Sequence, residues 1–332
     1  MEFARFRDDA TRVSRLGFGA MGFAGWFGAQ SDREHVHALH LAMERGVNFI
    51  DTARAYGESE RIVGVAIKEW SGLRPFVATK VAGLAGQRQW GTPVDVNAAY
   101  PKGHCTADCE RSLRTLGLEQ IDLLQLHTYW ASWGTSGHWL DELQRLKEQG
   151  KVRYIGVSIP DHRSDMALAL AQNGAIDSIQ TIINIFDPLA LEMLVPACAA
   201  NSVAVIARCV LDEGGLTGYL QRDTRFEPGD FRDGYFDLSV PREAYIAKVD
   251  RLRRYIPKYA SSLAALALRF VLQHPGVTTA ISSMHVPQHA QMNIDAVAEG
   301  PLPDEVFTEL FEKHRWTKNF ADFKNFGLLE DA

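Results

Sequence analysis

Residues 17–22 read GFGAMG, a G-x-G-x-x-G spacing whose interpretation decides the fold. In a doubly wound dinucleotide-binding sheet such a turn opens directly into a helix. An acidic residue then follows about 20 positions on, at the end of the next strand. Here the chain continues FAGWFGAQSD over residues 23–32. Two further glycines make that stretch a loop, not the first turn of a helix. The next helical pattern begins only near Asp32. On its own the spacing is weak support for a phosphate cradle.

Working outward, the chain alternates short apolar runs rich in Val, Ile and Phe with stretches of helical periodicity. The expected strands are 15–19, 47–52, 75–80, 121–127, 152–158, 176–181, 203–208 and 277–283. The expected helices lie near 32–45, 58–70, 106–117, 139–149, 164–173, 189–200, 242–273 and 287–298, with a last one near 303–315. Asp32 is placed to cap the first of these, and Thr106 precedes the run that ends at Gly117. Gly46, Gly117, Gly150 and Gly174 follow helical stretches, where a left-handed residue ends a helix at little cost. Eight strands, each followed by a helix, imply a parallel sheet. Units of about 30–40 residues fit one closed (β/α)8 TIM barrel spanning residues 1–332. An open doubly wound sheet is the alternative, but no composition break marks a second domain. Residues 224–241 read as a lid loop and 303–332 as a C-terminal helix and tail.

The chain has 332 residues, 46% of them hydrophobic, which is enough for a full core. Acids outnumber bases, giving a formal net charge of −6 with no basic stripe, so nucleic acid is not an expected partner. No apolar run is long enough for a membrane span. The N-terminal MEFARFRDDATR lacks the apolar region of a signal peptide. Cys105, Cys109, Cys198 and Cys209 read as reduced thiols in a cytoplasmic protein. Cys105 and Cys109 lack a second ligand pair at zinc spacing, so no metal is expected. His35, His37 and His40 read as solvated helix residues.

In a barrel, chemistry sits at the C-terminal ends of the strands. Four successive strands end in DTARAY, TK, LH and VS. Taken singly, Asp51 reads as a turn cap, Lys80 as a solvated loop residue and His127 as a satisfied core histidine. Together with Tyr56 they converge on one mouth. A phenol titrates near pH 10, and a neighbouring ammonium favours its ionised form. A carboxylate holds the ammonium, and a histidine orients a carbonyl oxygen. Such a set suits protonation of a carbonyl becoming an alkoxide, with electrons from a hydride donor.

GVNFIDTARAYGESE (46–60) resembles the most diagnostic segment of the aldo-keto reductases. LGFGAMG, VATK (77–80), SLRTLGLEQIDLLQLH (112–127), GKVRYIGVS (150–158) and GLTG (215–218) are similar to further family segments, from about residue 12 to 300. The resemblance implies an NADP(H)-dependent reductase of small aldehydes or ketones, with NAD(H) as the other cofactor. It gives Tyr56 the role of general acid, tuned by Lys80 and Asp51, with His127 orienting the carbonyl. It places Ala20 and Met21 at the nicotinamide and Ser158 and Gln180 at its carboxamide. It puts Leu211, Gly214 and Thr217 over the pyrophosphate. Ser282, Ser283, Met284, His285 and Asn293 fall at the adenosine end. The same resemblance admits a nicotinamide-binding regulatory subunit with little turnover.

Three departures stand out. Arg208 occupies a position that is usually aromatic and stacks on nicotinamide, where a cation would instead suit pyrophosphate or an anionic substrate. Ile159 replaces the usual Asn after Ser158. The stretch ISSMHVPQHAQMN (281–293) lacks the Lys or Arg that normally holds the 2′-phosphate, offering only His285 and His289. Trp26 and Trp130 are the main expected substrate walls. Phe23, Phe27, Tyr129, Trp133, Trp139, Trp316, Asn319, Phe320 and Phe323 either join them or pack the barrel rim.

Overall fold

The computed structural model describes residues 1–7, 11–28, 30–84, 94–233, 235–237 and 241–316. Asn319, Phe320 and Phe323, with most of the expected tail, lie outside the described residues.

All eight expected strands form. They are β3 (Leu16–Gly19), β4 (Phe49–Asp51), β5 (Phe76–Ala82), β6 (Ile121–His127), β7 (Val152–Ser158), β8 (Ser178–Ile182), β9 (Ala204–Arg208) and β10 (Thr279–Ser283). They close into one parallel barrel in sequence order, with β10 paired to both β9 and β3. Two short strands, β1 (Phe3–Arg5) and β2 (Arg12–Ser14), precede them as an antiparallel hairpin that sequence reading did not separate. Three-residue strands are too short to show a period of two.

The helices are α1 (Asp32–Glu44), α2 (Ser59–Glu69), α3 (Val96–Ala99), α4 (His104–Leu116), α5 (His138–Glu148), α6 (Leu168–Asn173), α7 (Leu194–Ala200), α8 (Arg242–Asp250), α9 (Leu263–Gln273), α10 (Pro287–Ala298) and α11 (Asp304–Lys313). The single helix expected over 242–273 is two helices. Pro257 has no N–H to donate and clashes with a continuing helix, so the chain breaks and restarts at Ser262, whose side chain caps α9. Residue 31, not Asp32, caps α1: Ser31 and Glu34 form a reciprocal capping box. Thr106 lies inside α4, whose N-cap is Gly103. Gly46, Gly117, Gly150 and Gly174 all have positive φ, as expected.

A large apolar core fills the space between barrel and helices. A second cluster fills the barrel's N-terminal end, where Phe6 and Val13 of the hairpin region meet Phe49, Phe76, Leu123, Tyr154, Ile206 and Ile281. Phe6 lies 4.9 Å from Phe76 and 4.8 Å from Tyr154 between ring centroids.

The glycines of GFGAMG serve packing. A Cβ on Gly17 would stand 2.9 Å from Ile281 Cγ2, and one on Gly22 would stand 2.6 Å from the His285 side chain. A Cβ on Gly19 would press on the Ser282 carbonyl at 3.1 Å. After β3 the chain makes only a short 3-10 turn, Ala20–Ala24, before the loop to α1.

The helix-surface reading of the first-helix histidines holds only for His37, which is exposed. His35 is buried with Nδ1 2.9 Å from the His285 carbonyl, and His40 Nε2 is 2.8 Å from the Ala66 carbonyl. Both face neighbouring elements because α1 packs between α2 and α10.

Candidate active site

Asp51 ends β4, Lys80 lies within β5 and His127 ends β6, so parallel register brings all three to the same rim. Tyr56 sits in the turn after β4, which is held by backbone bonds from Thr52 to Ala78 at 2.8 Å and from Arg54 to Lys80 at 3.2 Å. Lys80 Nζ donates to Asp51 Oδ2 at 2.5 Å and to the Thr52 carbonyl at 2.9 Å, and it stands 3.5 Å from Tyr56 Oη. Lys80 is fully buried, and Asp51 and Tyr56 nearly so. The His127 ring meets the Tyr56 ring edge-on at 5.6 Å, and Trp26 does so from another side at 5.9 Å.

Burial pushes the Tyr56 phenol well above its ordinary range; Asp51 adds to the rise and Arg208 works against it. Burial pulls the Lys80 ammonium below the usual lysine range, while Asp51 opposes that. The phenol is thus shifted upward, opposite to the lowering expected from its ammonium neighbour.

Gln180 donates to Asp51 Oδ1 at 2.8 Å, so both carboxylate oxygens are engaged. Its amide nitrogen orients the carboxylate. Glu60, buried in α2, accepts from Thr79 Oγ1 and from Arg54, each at 2.7 Å. Sequence reading passed over Glu60 because an acid in a first helical turn reads as ordinary dipole compensation.

Arg208 ends β9 at the same rim. Its guanidinium bonds the Ile159 carbonyl at 2.9 Å and pairs with Asp161. Burial works against the cation, but the Asp161 carboxylate beside it holds it charged. Ile159 is buried, so its side chain takes no polar role. Ser158, also buried, ends β7.

Beyond β9, residues 211–218 form linked turns. Gly214 has φ 88°, and a Cβ there would meet nothing within 4 Å. Thr217 Oγ1 donates to the Gly214 carbonyl at 2.6 Å. Gly215 is required for packing, because a Cβ would collide with Tyr245 Oη. At the end of β10, Asn293 Nδ2 donates to Ser282 Oγ at 3.1 Å, and Ser283 Oγ lies 2.9 Å from His285 Nδ1. Met284 is fully buried. Ala20 and Met21 lie in the 3-10 turn beside these residues, Ala20 buried and Met21 half-buried.

Of the expected substrate walls, Trp26 faces Tyr56 directly. Trp130 is nearly buried with Nε1 unpartnered, and Thr128 Oγ1 on the same loop is also unpartnered. Trp139 and Tyr129 are core residues, and Trp133 is tied to the Val94 carbonyl at 2.5 Å. Trp316 packs on Phe186 and Tyr245. These four belong to rim packing. Residues that could hold a nicotinamide dinucleotide are thus continuous around the mouth. Buried polar atoms with no protein partner, on Trp130, Thr128 and Arg208, fit a polar ligand there.

A closed parallel barrel carrying a buried acid–lysine–tyrosine set at its C-terminal rim defines a carbonyl oxidoreductase of the TIM-barrel type. The chain belongs to the aldo/keto reductase family, whose profile matches residues 15–315. It is 30% identical over 299 residues to aldo-keto reductase YhdN of Bacillus subtilis, covering 86% of each chain. It is 28% identical over 302 residues to the NADH-specific methylglyoxal reductase of Escherichia coli, covering 86% of this chain and 90% of that one. The solved glycerol dehydrogenase AKR11B4 of Gluconobacter oxydans superposes with a TM-score of 0.75 at 29% identity, covering 94% and 95% of the two chains. The protein is therefore an NAD(P)H-dependent oxidoreductase acting on carbonyl compounds. Among the described residues no helix is long and apolar enough to cross a membrane.

Proposed function

We propose that the protein reduces small aldehydes or ketones to alcohols, with Tyr56 as the proton donor. The observation that carries this reading is the buried contact chain from Asp51 through Lys80 to Tyr56 Oη, with the His127 ring against the phenol. A reduced nicotinamide, when bound, supplies the hydride that goes to the carbonyl carbon. Tyr56 Oη gives its proton to the carbonyl oxygen as negative charge develops there. Lys80 Nζ, 3.5 Å away, stabilises the phenolate left behind. Asp51 and Gln180 hold Lys80 in place, and His127 orients the oxygen. The apolar bodies of Trp26 and Trp130 exclude water from the reacting carbonyl.

The relatives' names support a small polar carbonyl or polyol as substrate. Four free cysteines support the reading of a cytoplasmic protein. The test is a panel of aldehydes and ketones offered with NADPH or NADH, following loss of reduced-cofactor absorbance. Turnover with at least one carbonyl, abolished in Tyr56→Phe, is expected. Tight cofactor binding with no turnover on any carbonyl would replace this reading with the sensing one.

A further inference from the structure

The segment after β10 lacks the Lys or Arg that would grip a 2′-phosphate, and the structure brings a cation to it from elsewhere. Arg232 lies in the segment 224–233, which closes onto the first loop: Phe231 N donates to the Trp26 carbonyl at 2.8 Å. The Arg232 guanidinium stacks 5.2 Å above the Phe27 ring and 4.9 Å above Phe226. Phe27 also stacks on the His285 ring at 5.7 Å and meets Phe231 edge-on at 5.9 Å, and His289 lies 5.1 Å beyond His285. Asp230 fixes the guanidinium through Nε at 2.9 Å and Nη2 at 2.6 Å. Nη1 makes no hydrogen bond among the described residues. Burial holds His285 down to about 4, with His289, His35 and Arg232 contributing, so the ring is neutral near pH 7. Arg232 is therefore the permanent positive charge in this aromatic corner.

We propose that Arg232 is a specificity-determining residue that recognises the 2′-phosphate of NADP(H), in place of a cation on the segment 281–293. The proposal rests on the nicotinamide reading above. A phosphate monoester carries close to two negative charges at neutral pH, so it competes well for a guanidinium held by a single carboxylate. Phe27 and Phe226 hold the planar cation at a fixed height, which a flexible lysine would lack.

The test measures dissociation constants of NADPH, NADH, 2′,5′-ADP and ADP by quenching of tryptophan fluorescence, in the parent protein, Arg232→Met and Arg232→Lys. Thermal denaturation of each variant confirms that it is folded. The parent should prefer NADPH. Arg232→Met should weaken NADPH and 2′,5′-ADP by about 10-fold or more and leave NADH and ADP within twofold, while Arg232→Lys recovers part of the loss. A parent that prefers NADH, or an Arg232→Met protein that weakens all four ligands equally or none, overturns the proposal and leaves the nicotinamide reading intact. A parent that binds neither dinucleotide sinks both.

Discussion

Tyr56 is a phenol whose surroundings hold its proton in place. Its Oη touches an ammonium, yet burial and Asp51 together keep the group protonated well past its usual range. A neutral phenol is the form required for carbonyl reduction. Reduction should accordingly keep a constant kcat from about pH 7 to pH 9 and fall only at more alkaline pH, as Tyr56 ionises; a fall beginning near pH 7 would show that another group donates. Tyr56→Phe should lower kcat by about 10²–10⁴-fold while cofactor quenching is unchanged. Lys80→Met leaves the Asp51 carboxylate buried with only Gln180, and loss of one partner of a buried pair costs about 3–5 kcal/mol. Urea denaturation should show that loss alongside lost activity. The four rim residues were legible because strand ends can be read from pattern, and barrel closure then forces them together. Gln180 as a partner of Asp51, and Asp161 as the partner of Arg208, were not legible. Gln180 reaches Asp51 across 129 residues of sequence, and Asp161 reaches Arg208 across 47. Such pairings depend on which side chains face inward after closure, which composition and spacing do not carry.

The helices show where local signals suffice. Ser31 and Glu34 satisfy each other's backbone at the start of α1. Ser31→Ala should therefore cost about 0.5–2 kcal/mol in urea denaturation with kcat unaltered. The break at Pro257 was written in the sequence but masked by apolar periodicity on both sides, so one helix was expected where two form. Gly22 is a different case, since its space is taken by His285 from the far end of the chain. Gly22→Ala would push the His285 ring aside, at about 1–3 kcal/mol. Cofactor affinity should change less than stability; a protein of unchanged stability that binds no cofactor would restore the phosphate-cradle reading of GFGAMG.

At the scale of the molecule, two buried histidines couple the fold to acidity. Burial holds His285 at about 4, with His289, His35 and Arg232 contributing and Asp230 opposing. Burial likewise holds His314 at about 4, with Arg254 contributing and Glu309 opposing. Both folded-state values lie below the unfolded value near 6.5, so the unfolded chain binds more protons between the two. The stabilisation is complete above pH 6.5 and is lost as pH falls from about 6.5 to about 4, by up to about 3 kcal/mol per histidine. The melting temperature should drop across that window, and the drop should shrink in His314→Gln.

The aromatic plug at the barrel's closed end carries a consequence for synthesis. Its seat is built from residues as late as Ile206 and Ile281, so Phe6 is made long before that seat is complete. A growing chain thus carries Phe6 without its full seat until Ile281 has been made. Ribosome-stalled fragments ending before residue 281 should leave residues 1–14 open to protease.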